Sequence, residues 1–353
     1  LGILALWQIV KHGVSDKLIT LIRAFYWHII AQFVNTFPSC LLVVLFFIMG
    51  STLGFYRATI FYSNWISIIS LLNIVSLLIT FILYVRRQTS DFFNSIDFYY
   101  GTELTPTILD IDIKHFVTYR ISFTLWAIYI ISAYHYSKSI RGQISLELIA
   151  CAILQLIYIA RTLWFEHFHY SQLDAQVDKA GFCRIWRGMV LLPTLYVTPI
   201  SLLARNQSVL PKPLSVLLFL MGLTAIYVNT DINQQRYNFR IGNGNVKIWG
   251  KDPFFIAAKF RRENGDFGTN LLLGSGWWGL SRHPNYLAEW LSFMFWSLLQ
   301  GSTTIIPYSP LIYLAIFLYL RTVHDEIRCL GKYGNYWLQH SNRVNFMLIP
   351  SIY

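Results

Sequence analysis

Long apolar runs alternate with short polar connections along this chain. Several runs approach the roughly 20 residues that a helix needs to cross a bilayer. Because lipid cannot satisfy backbone N–H and C=O groups, such runs must form helices. Together with one or two runs before Gln32, they predict an all-α, polytopic integral membrane protein with about eight to ten transmembrane helices. The predicted spans are Phe37–Tyr56, Trp65–Tyr84, Tyr119–Tyr136, Ser145–Trp164, Gly188–Leu203, Ser215–Val228, Asn285–Leu299 and Ile305–Thr322.

Composition agrees with a membrane protein, since 55% of the 353 residues are hydrophobic and only 13% are charged. Soluble proteins carry about 25% charged residues. The net charge of +11 fits the excess of Lys and Arg in cytoplasmic loops. No block of five like charges occurs, so we expect no direct nucleic-acid binding by this chain. It starts at Leu1 in an apolar stretch, and we expect an N-terminal part to precede it.

Four polar connections carry most of the remaining information. They are Ser90–His115, Glu166–Lys179, Asn229–Trp278 and the tail His324–Tyr353. Long loops inside a compact bundle are more often functional than filler. These four segments are therefore expected to carry the functional residues.

The stretch LLLGSGWWGLSRHPNY, residues 271–286, is the most informative of the polar motifs. Pro284 is tolerated at the first turn of a helix, where its missing N–H would be unpaired anyway. The free N–H groups at such a helix start favour anions. With Arg282 beside them, the motif predicts a site for a phosphate-bearing ligand at a membrane face.

Two further clusters combine cations with polar neighbours. Arg236 and Arg240 are four residues apart, so on a helix they share one face and can clamp a phosphate; a pair that faces solvent or lipid headgroups remains equally open. Asp325 and Glu326 lie among Arg321, Arg328 and Lys332. Charges at a membrane edge tend to be functional, although an ion-pair ladder is the alternative. Asp325 could accept hydrogen bonds from a ribose or an amide.

Acidic residues of the first two connections are candidate proton donors. Burial disfavours the charged form of a carboxyl and so keeps its proton at neutral pH. Each of them could instead cap a helix or form an ion pair. The candidates are Glu103, Glu166, Asp174 and Asp178.

Two histidines that follow Glu166 are candidate metal ligands. His167 and His169 have HxH spacing, but no HExxH or comparable pattern is present. We therefore predict no metal site.

Several motifs, in order, resemble the sterol reductases of the C14, C7 and C24(28) type, a family that includes the membrane domain of the lamin B receptor. The doublet Trp277-Trp278 resembles the C14 and lamin-receptor branch more than the C7 branch. The matching segments are DFYYGTELTP (97–106), Lys114, Arg120, WFE (164–166), Asp174, Gly181-Phe182, NQQRYNFR (233–240), 271–286, DEIRCLGKYGNYW (325–337) and the closing LIPSIY.

The resemblance implies a multi-pass protein of the endoplasmic reticulum or inner nuclear membrane, with residues 1–353 forming one sterol reductase-like domain. Residues 1–228 would supply mainly membrane helices and a sterol pocket, and residues 229–353 would bind NADPH. The implied cofactor residues, with Arg282 added from its own chemistry, are Arg236, Arg240, Leu273, Trp278, Arg282, Asn285, Tyr286, Asp325, Cys329, Lys332, Tyr333 and His340.

The implied reaction is the reduction of a ring double bond of a sterol, and the C14 branch implies the Δ14 bond. An acid protonates the alkene, and NADPH delivers a hydride to the resulting carbocation. NADPH does the hard chemistry, and the protein orients it and tunes the electrostatics. The candidate catalytic residues are Glu103, Glu166, Asp174 and Tyr286.

The chain also departs from the family pattern. Arg236 replaces a Lys, Arg187-Gly188 stands where Gly-Asp is expected, Ala288-Glu289 replaces Gly-Asp, Ile121-Ser122 replaces Pro-Gly, and His340 replaces a Tyr. These changes leave open a protein that retains the fold without the catalysis.

Two alternatives to a plain reductase follow. One is a lamin B receptor-like anchor of the inner nuclear membrane, whose missing N-terminal part binds lamin or chromatin. The other is an isoprenylcysteine methyltransferase, which shares the RHPxY motif and uses S-adenosylmethionine. The acidic first connection, the Arg236–Arg240 segment and the larger number of spans argue against the second.

Overall fold

The chain folds mostly into helices, as predicted, in a computed structural model that describes residues 36–87, 93–108, 111–262 and 265–350. Most of the predicted apolar runs lie on long helices. We number the long helices α1 Thr36–Thr52, α2 Trp65–Arg87, α3 Ile113–Arg141, α4 Leu146–Trp164, α5 Phe182–Arg205, α6 Lys212–Ile241, α7 Pro284–Leu298, α8 Ser309–Tyr333 and α9 Asn335–Arg343.

Shorter elements connect these helices. Two antiparallel hairpins occur, β1 with β2 and β3 with β4. The remaining elements are helical turns at Ile60–Ser63, Ser95–Tyr100, Glu166–Ser171, Leu173–Gln176, Trp277–Leu280 and Ile306–Tyr308, and the strands β1 Thr107–Ile108, β2 Ile111–Asp112, β3 Phe255–Arg261 and β4 Phe267–Leu273.

Six helices within the described residues are long and apolar enough to cross a membrane: α2 to α6, and α8 together with the short turn before it. The other two predicted spans fall on α1, with 17 residues, and on α7, with 15. The run before Gln32 lies outside the described residues. A polytopic membrane protein is therefore confirmed.

Two of the predicted polar connections are more regular than the sequence indicated. The segment from Asn229 was expected to be a loop, but α6 continues to Ile241, and β3 and β4 form a seven-pair hairpin further on. The tail from His324 likewise begins inside α8. Hydropathy falls where a helix leaves the apolar layer, but its backbone bonds stay within the helix and do not require it to end there.

The described chain divides into two compact units. The first holds residues up to 144, 156–166 and 174–205, and the second holds 145–155, 167–173 and 206–353. The main boundary between the two compact units lies near residue 206, and the functional division into 1–228 and 229–353 stays a prediction. The assignment of a sterol pocket to residues 1–228 remains a prediction.

The first unit contains two π-helical segments, Phe116–Ser122 within α3 and Arg187–Leu191 within α5. They approach each other at Gly188, where a Cβ would lie 3.2 Å from Val117. The Ser122 hydroxyl donates a hydrogen bond to the Gly188 carbonyl. Insertions of this kind are frequent at functional sites.

The second unit is built on the close pair α6 and α7, and on the β3–β4 hairpin against α8 and α9. Ile232, Phe239, Leu273, Trp278 and Ala288 form one buried cluster between helix and hairpin. Ala258, Cys329, Tyr333 and Trp337 form another. Both clusters border the residues predicted to bind the cofactor.

Candidate functional site

Arg236 and Arg240 lie one turn apart near the end of α6, as the spacing predicted. The Arg236 guanidinium lies 4.3 Å from the centre of the Trp278 ring, a cation–π arrangement. Arg240 is exposed. Neither of them takes part in an ion pair found among the described residues.

The Gly-Trp loop, which contains Gly276, Trp277 and Trp278, is held against α6 by hydrogen bonds. The Trp277 indole donates to Asp231 Oδ2 at 2.7 Å, and the Trp278 indole donates to the Ile232 carbonyl at 3.0 Å. Gly276 has φ +64°, and a Cβ there would lie 2.4 Å from Gln235 Oε1. Only glycine fits this position, and the loop thereby holds Trp278 under Arg236.

Four predicted cofactor residues share one side of α8 at spacings of three and four: Asp325, Cys329, Lys332 and Tyr333. Asp325 Oδ1 accepts two hydrogen bonds from Arg328, at 3.0 and 2.9 Å. The Lys332 ammonium lies 4.1 Å from the centre of the Phe260 ring on β3. Asn270 on β4 donates to the Tyr333 hydroxyl at 2.7 Å.

The cations of α6 and the polar face of α8 come together in the second unit. Arg236 lies within electrostatic range of Arg240, Tyr286 and Asp325. Arg240 lies within the same range of Asp325, Arg328 and Tyr333. Residues from three separate stretches of sequence therefore converge, which is what a single polar ligand needs.

Arg282 has a different place from the one predicted. Its side chain is only 8% exposed, and its Nε donates to Glu326 Oε1 at 2.7 Å. Its Nη1 donates to the carbonyls of Val344 and Asn345, at 2.7 and 3.2 Å. Arg282 thus braces the C-terminal segment.

The C-terminal segment also occupies the start of α7, where a phosphate was predicted. The N–H groups of Arg282 and His283 donate to the Phe346 and Met347 carbonyls. Pro284 opens the helix as expected. The C-terminal segment thus uses the two N–H donors just before this helix, and an anion site at the helix start itself stays a prediction.

Glu326, which sequence analysis did not single out as a binding residue, is the centre of this bracing. Besides Arg282, it accepts a hydrogen bond from the Trp337 indole at 3.1 Å and lies 3.6 Å from His283. Its position next to Asp325 was the only signal in the sequence. Nothing local indicates that two adjacent acids serve a site and a scaffold respectively.

His340 and Leu273 form a contact of their own. The His340 ring donates a hydrogen bond from Nε2 to the Leu273 carbonyl at 2.9 Å, and it stacks on Trp337. Burial lowers the pKa of His340 below its ordinary value. The remaining predicted residues lie on α7, where Asn285 is buried and Tyr286 stacks on His283 with ring centres 5.1 Å apart.

The acidic candidates of the first unit form ion pairs. Asp174 Oδ2 accepts from Arg184 at 3.1 Å and from Arg187 at 3.3 Å, and Arg187 also binds Asp178 at 3.2 Å. Arg187, which departs from the family pattern, thus has two acidic partners. Glu103 lies 3.1 Å from Arg87, in a more exposed pair.

Glu166 joins three elements of the first unit. Its carboxylate accepts hydrogen bonds from the His115 ring on α3 and from the Thr36 N–H at the start of α1. Burial alone would raise the pKa of Glu166, but the bonds from His115 and Thr36 outweigh burial and lower the pKa to about 2. The expectation that burial keeps Glu166 protonated is therefore wrong.

The motifs on either side of this region meet closely. A Cβ on Gly181 would lie 2.2 Å from the backbone nitrogen of Gly101, which has φ +92°. The Ala180 N–H donates to the Glu103 carbonyl at 2.9 Å. Two segments that are 80 residues apart are thereby locked together, and a small cavity lies between Glu103, Asp97 and Tyr84.

The fold is that of a polytopic membrane protein, with a cluster of cations and aromatic rings in its second unit. The chain belongs to the ergosterol biosynthesis ERG4/ERG24 family, whose model matches residues 28–353. It is therefore a member of the sterol reductase family, as the motifs indicated.

Individual relatives carry two kinds of name. The 7-dehydrocholesterol reductase of Arabidopsis thaliana is 32% identical over 309 residues, which cover 85% of this chain and 72% of that protein. The delta(14)-sterol reductase of Methylotuvimicrobium alcaliphilum is 27% identical over 310 residues, which cover 86% and 70%. The delta(14)-sterol reductase TM7SF2 of Mus musculus is 29% identical over 257 residues, which cover 73% and 59%.

Proposed function

We propose that the second unit binds NADPH and that the protein reduces a ring double bond of a sterol. The observation that carries this is the convergence of Arg236 and Arg240 in a region where Asp325 is already paired with Arg328. Cations without acidic partners fit a ligand that brings its own negative charge. Family membership supports a sterol as the second substrate.

The residues present fit the groups of this cofactor. Arg236 and Arg240 suit phosphate oxygens, because a guanidinium donates two parallel hydrogen bonds. Trp278 and Tyr333 offer aromatic surface, and Asp325 offers an acceptor for a hydroxyl or amide. NADPH would supply the hydride. Arg236 in place of the usual Lys exchanges a point charge for a planar fork and keeps the positive charge.

The reduction also consumes a proton, and we propose its donor from the surroundings of the four candidate residues. Glu166 is ionised at neutral pH, and Asp174 is bound by two guanidiniums. Tyr286 and Glu103 remain as proposed donors. Tyr286 belongs to the second unit, with Arg236 in its electrostatic range.

Two positions of the double bond deserve a direct comparison. The Δ14 bond was predicted from the Trp277-Trp278 doublet. The Δ7 bond is favoured by the 7-dehydrocholesterol reductase of Arabidopsis thaliana, which has the higher identity of the relatives named above. We propose sterol ring reduction in either case, and the substrate decides between them.

The test is reduction of two sterols by the purified protein in lipid nanodiscs with NADPH. One sterol is 7-dehydrocholesterol, and the other carries a Δ14 double bond. We expect one of them to be converted, with one NADPH oxidised for each sterol reduced. Complementation of cells that lack C14 or C7 sterol reductase, followed by sterol profiling, checks the result. If protein that binds NADPH reduces neither sterol, the proposed reductase activity is contradicted.

Cofactor choice is tested by binding. We expect NADPH to bind more tightly than NADH, because its extra phosphate meets the cations. Arg240→Gln should weaken NADPH binding by about tenfold to a hundredfold, since hydrogen bonds to charged groups contribute about 1.5–3 kcal/mol. The control is Lys138→Gln, which also removes one positive charge, from an exposed residue outside the second unit. Equal affinities for NADPH and NADH would contradict the assignment.

The proposed location is the endoplasmic reticulum or the inner nuclear membrane. The anchor that binds lamin or chromatin through a preceding segment remains an alternative prediction, since it concerns residues outside this sequence. Imaging of the tagged full-length protein, together with the reduction assay, separates the two.

A further inference from the structure

Asn229, Asn233 and Glu289 form a buried polar ladder, a chain of hydrogen bonds that joins α6 to α7. On α6 it precedes the two arginines in the sequence. Asn229 and Asn233 are only 2% and 7% exposed. Asn229 Nδ2 donates to Glu289 on α7. A carboxylate and two amides within a membrane span are expensive to bury, and such groups tend to be functional.

One atom of this ladder lacks a partner. Both N–H groups of Asn233 are used, since its Nδ2 donates to the carbonyl and to the Oδ1 of Asn229, each at 2.8 Å. The Asn233 Oδ1 atom is buried and accepts no hydrogen bond from any residue in the described part of the chain. An unsatisfied buried acceptor is unfavourable, so this atom suits a donor that a ligand would bring.

Asn233 occupies a defined place relative to the cations. Residues 229, 233, 236 and 240 are spaced by four, three and four, so they form one stripe on α6. At 1.5 Å per residue, Asn233 lies about 10 Å along the axis from Arg240. The two helices run in opposite directions, because Asn229 contacts Glu289 while Arg236 lies in range of Tyr286.

We propose that Asn233 Oδ1 accepts a hydrogen bond from the carboxamide N–H of NADPH, and thereby fixes the nicotinamide ring on the membrane side of the arginines. This rests on the proposed function. The carboxamide is an uncharged donor, and in the cofactor it is separated from the diphosphate by one ribose. A neutral acceptor deeper than the phosphate-binding cations matches that order of groups. Asn229 and Glu289 are positioning residues that hold the Asn233 amide.

The experiment compares NADPH with its 3-acetylpyridine analogue, which replaces the carboxamide NH₂ by a methyl group and retains every phosphate. Equilibrium binding is measured by calorimetry with the whole protein in nanodiscs, so that no turnover is needed. We expect the wild type to bind NADPH about tenfold more tightly than the analogue, because the analogue leaves the acceptor unpaired. In Asn233→Leu the two affinities should differ by less than about twofold.

Asn238→Ala is the matched control, since Asn238 is an exposed asparagine of the same helix that contacts Gln234. It should retain the tenfold preference. Equal binding of NADPH and the analogue to wild type would overturn the inference even if Asn233→Leu fails to fold, as would a preference that persists in Asn233→Leu. If neither ligand binds to wild type, the proposed function falls and this inference with it. NADPH preferred over NADH, but not over the analogue, removes the inference alone.

Discussion

The two compact units use buried charge in opposite ways. In the first, Arg184 and Arg187 face Asp174 and Asp178, and Glu166 binds His115. In the second, Arg236 and Lys332 lie over aromatic rings, and Asp325 already binds Arg328. The named cations of the first unit have acidic partners, whereas Arg236 and Lys332 form no ion pair found among the described residues.

This difference fits a structural role for the paired cations and the proposed binding role for the cations over rings. A buried charge is tolerated when a partner and hydrogen bonds compensate its desolvation, and removing one partner is strongly destabilising. A half-buried cation over an aromatic ring has weaker compensation, and it can accept a phosphate with little rearrangement. Paired cations such as Arg187 therefore fit a structural role, and cations over aromatic rings such as Arg236 fit the proposed binding of a ligand.

The largest expected effect concerns the matched pairs. Arg187→Gln removes the contacts to Asp174 and Asp178 from a side chain that is 13% exposed. We expect it to destabilise the ligand-free protein by about 1–3 kcal/mol, because two carboxylates lose a shared donor. Thermal unfolding in detergent, without NADPH, measures this. The exposed Lys179→Gln is the control for lost charge.

Arg240→Gln sharpens the contrast in the same assay. Since Arg240 is exposed and forms no ion pair within the described segments, the melting temperature of the ligand-free protein should stay close to that of wild type. A loss as large as that of Arg187→Gln would mean that the second unit also depends on its cations for folding. The comparison would then fail.

A smaller effect is expected at Arg282, a cation of the second unit that behaves like those of the first. Arg282→Ala should lower the melting temperature and weaken NADPH and NADH binding by the same factor, because Arg282 braces the C-terminal segment. Glu326→Gln should have a similar effect, and the double variant should lose less than the sum. A change in the NADPH to NADH ratio would return Arg282 to the phosphate site.

The spans and the shared face of Arg236 and Arg240 on α6 could be predicted from the sequence, because both depend on local periodicity. Apolar runs of membrane length can hardly be anything but helices, and a spacing of four puts Arg236 and Arg240 on one side wherever the helix continues. The β3–β4 hairpin was missed. Its inward residues, Ile256, Ala258 and Phe260, alternate with outward ones, but they lie between glycines, lysines and prolines that also fit a loop.

The roles of individual charges could not be predicted, since they depend on distant partners. Arg282 binds carbonyls more than 60 residues away, and Glu166 binds Thr36, 130 residues before it. The motif RHPNY indicated a cation at a helix start, which is correct. It carried no information on whether a ligand or the C-terminal segment would meet that cation.

The smallest expected effect is a dependence of stability on pH in the second unit. Burial lowers the pKa of His340, so between the lowered value and about 6.5 the unfolded chain binds more protons than the folded protein. Stability from this residue is complete above pH 6.5 and is lost as the pH falls toward the lowered value. We therefore expect a lower melting temperature at pH 5.5 than at pH 7.5, and His340→Gln should reduce the difference.

Glu166, with a pKa near 2, loses its contribution to stability only below about pH 4.5, so it should add nothing to this slope. Burial also lowers the pKa of His167, which leaves a residual slope of the same sign in the variant. The exposed His324→Gln serves as the control, and a full slope in His340→Gln would show that the buried ring is not the group that titrates.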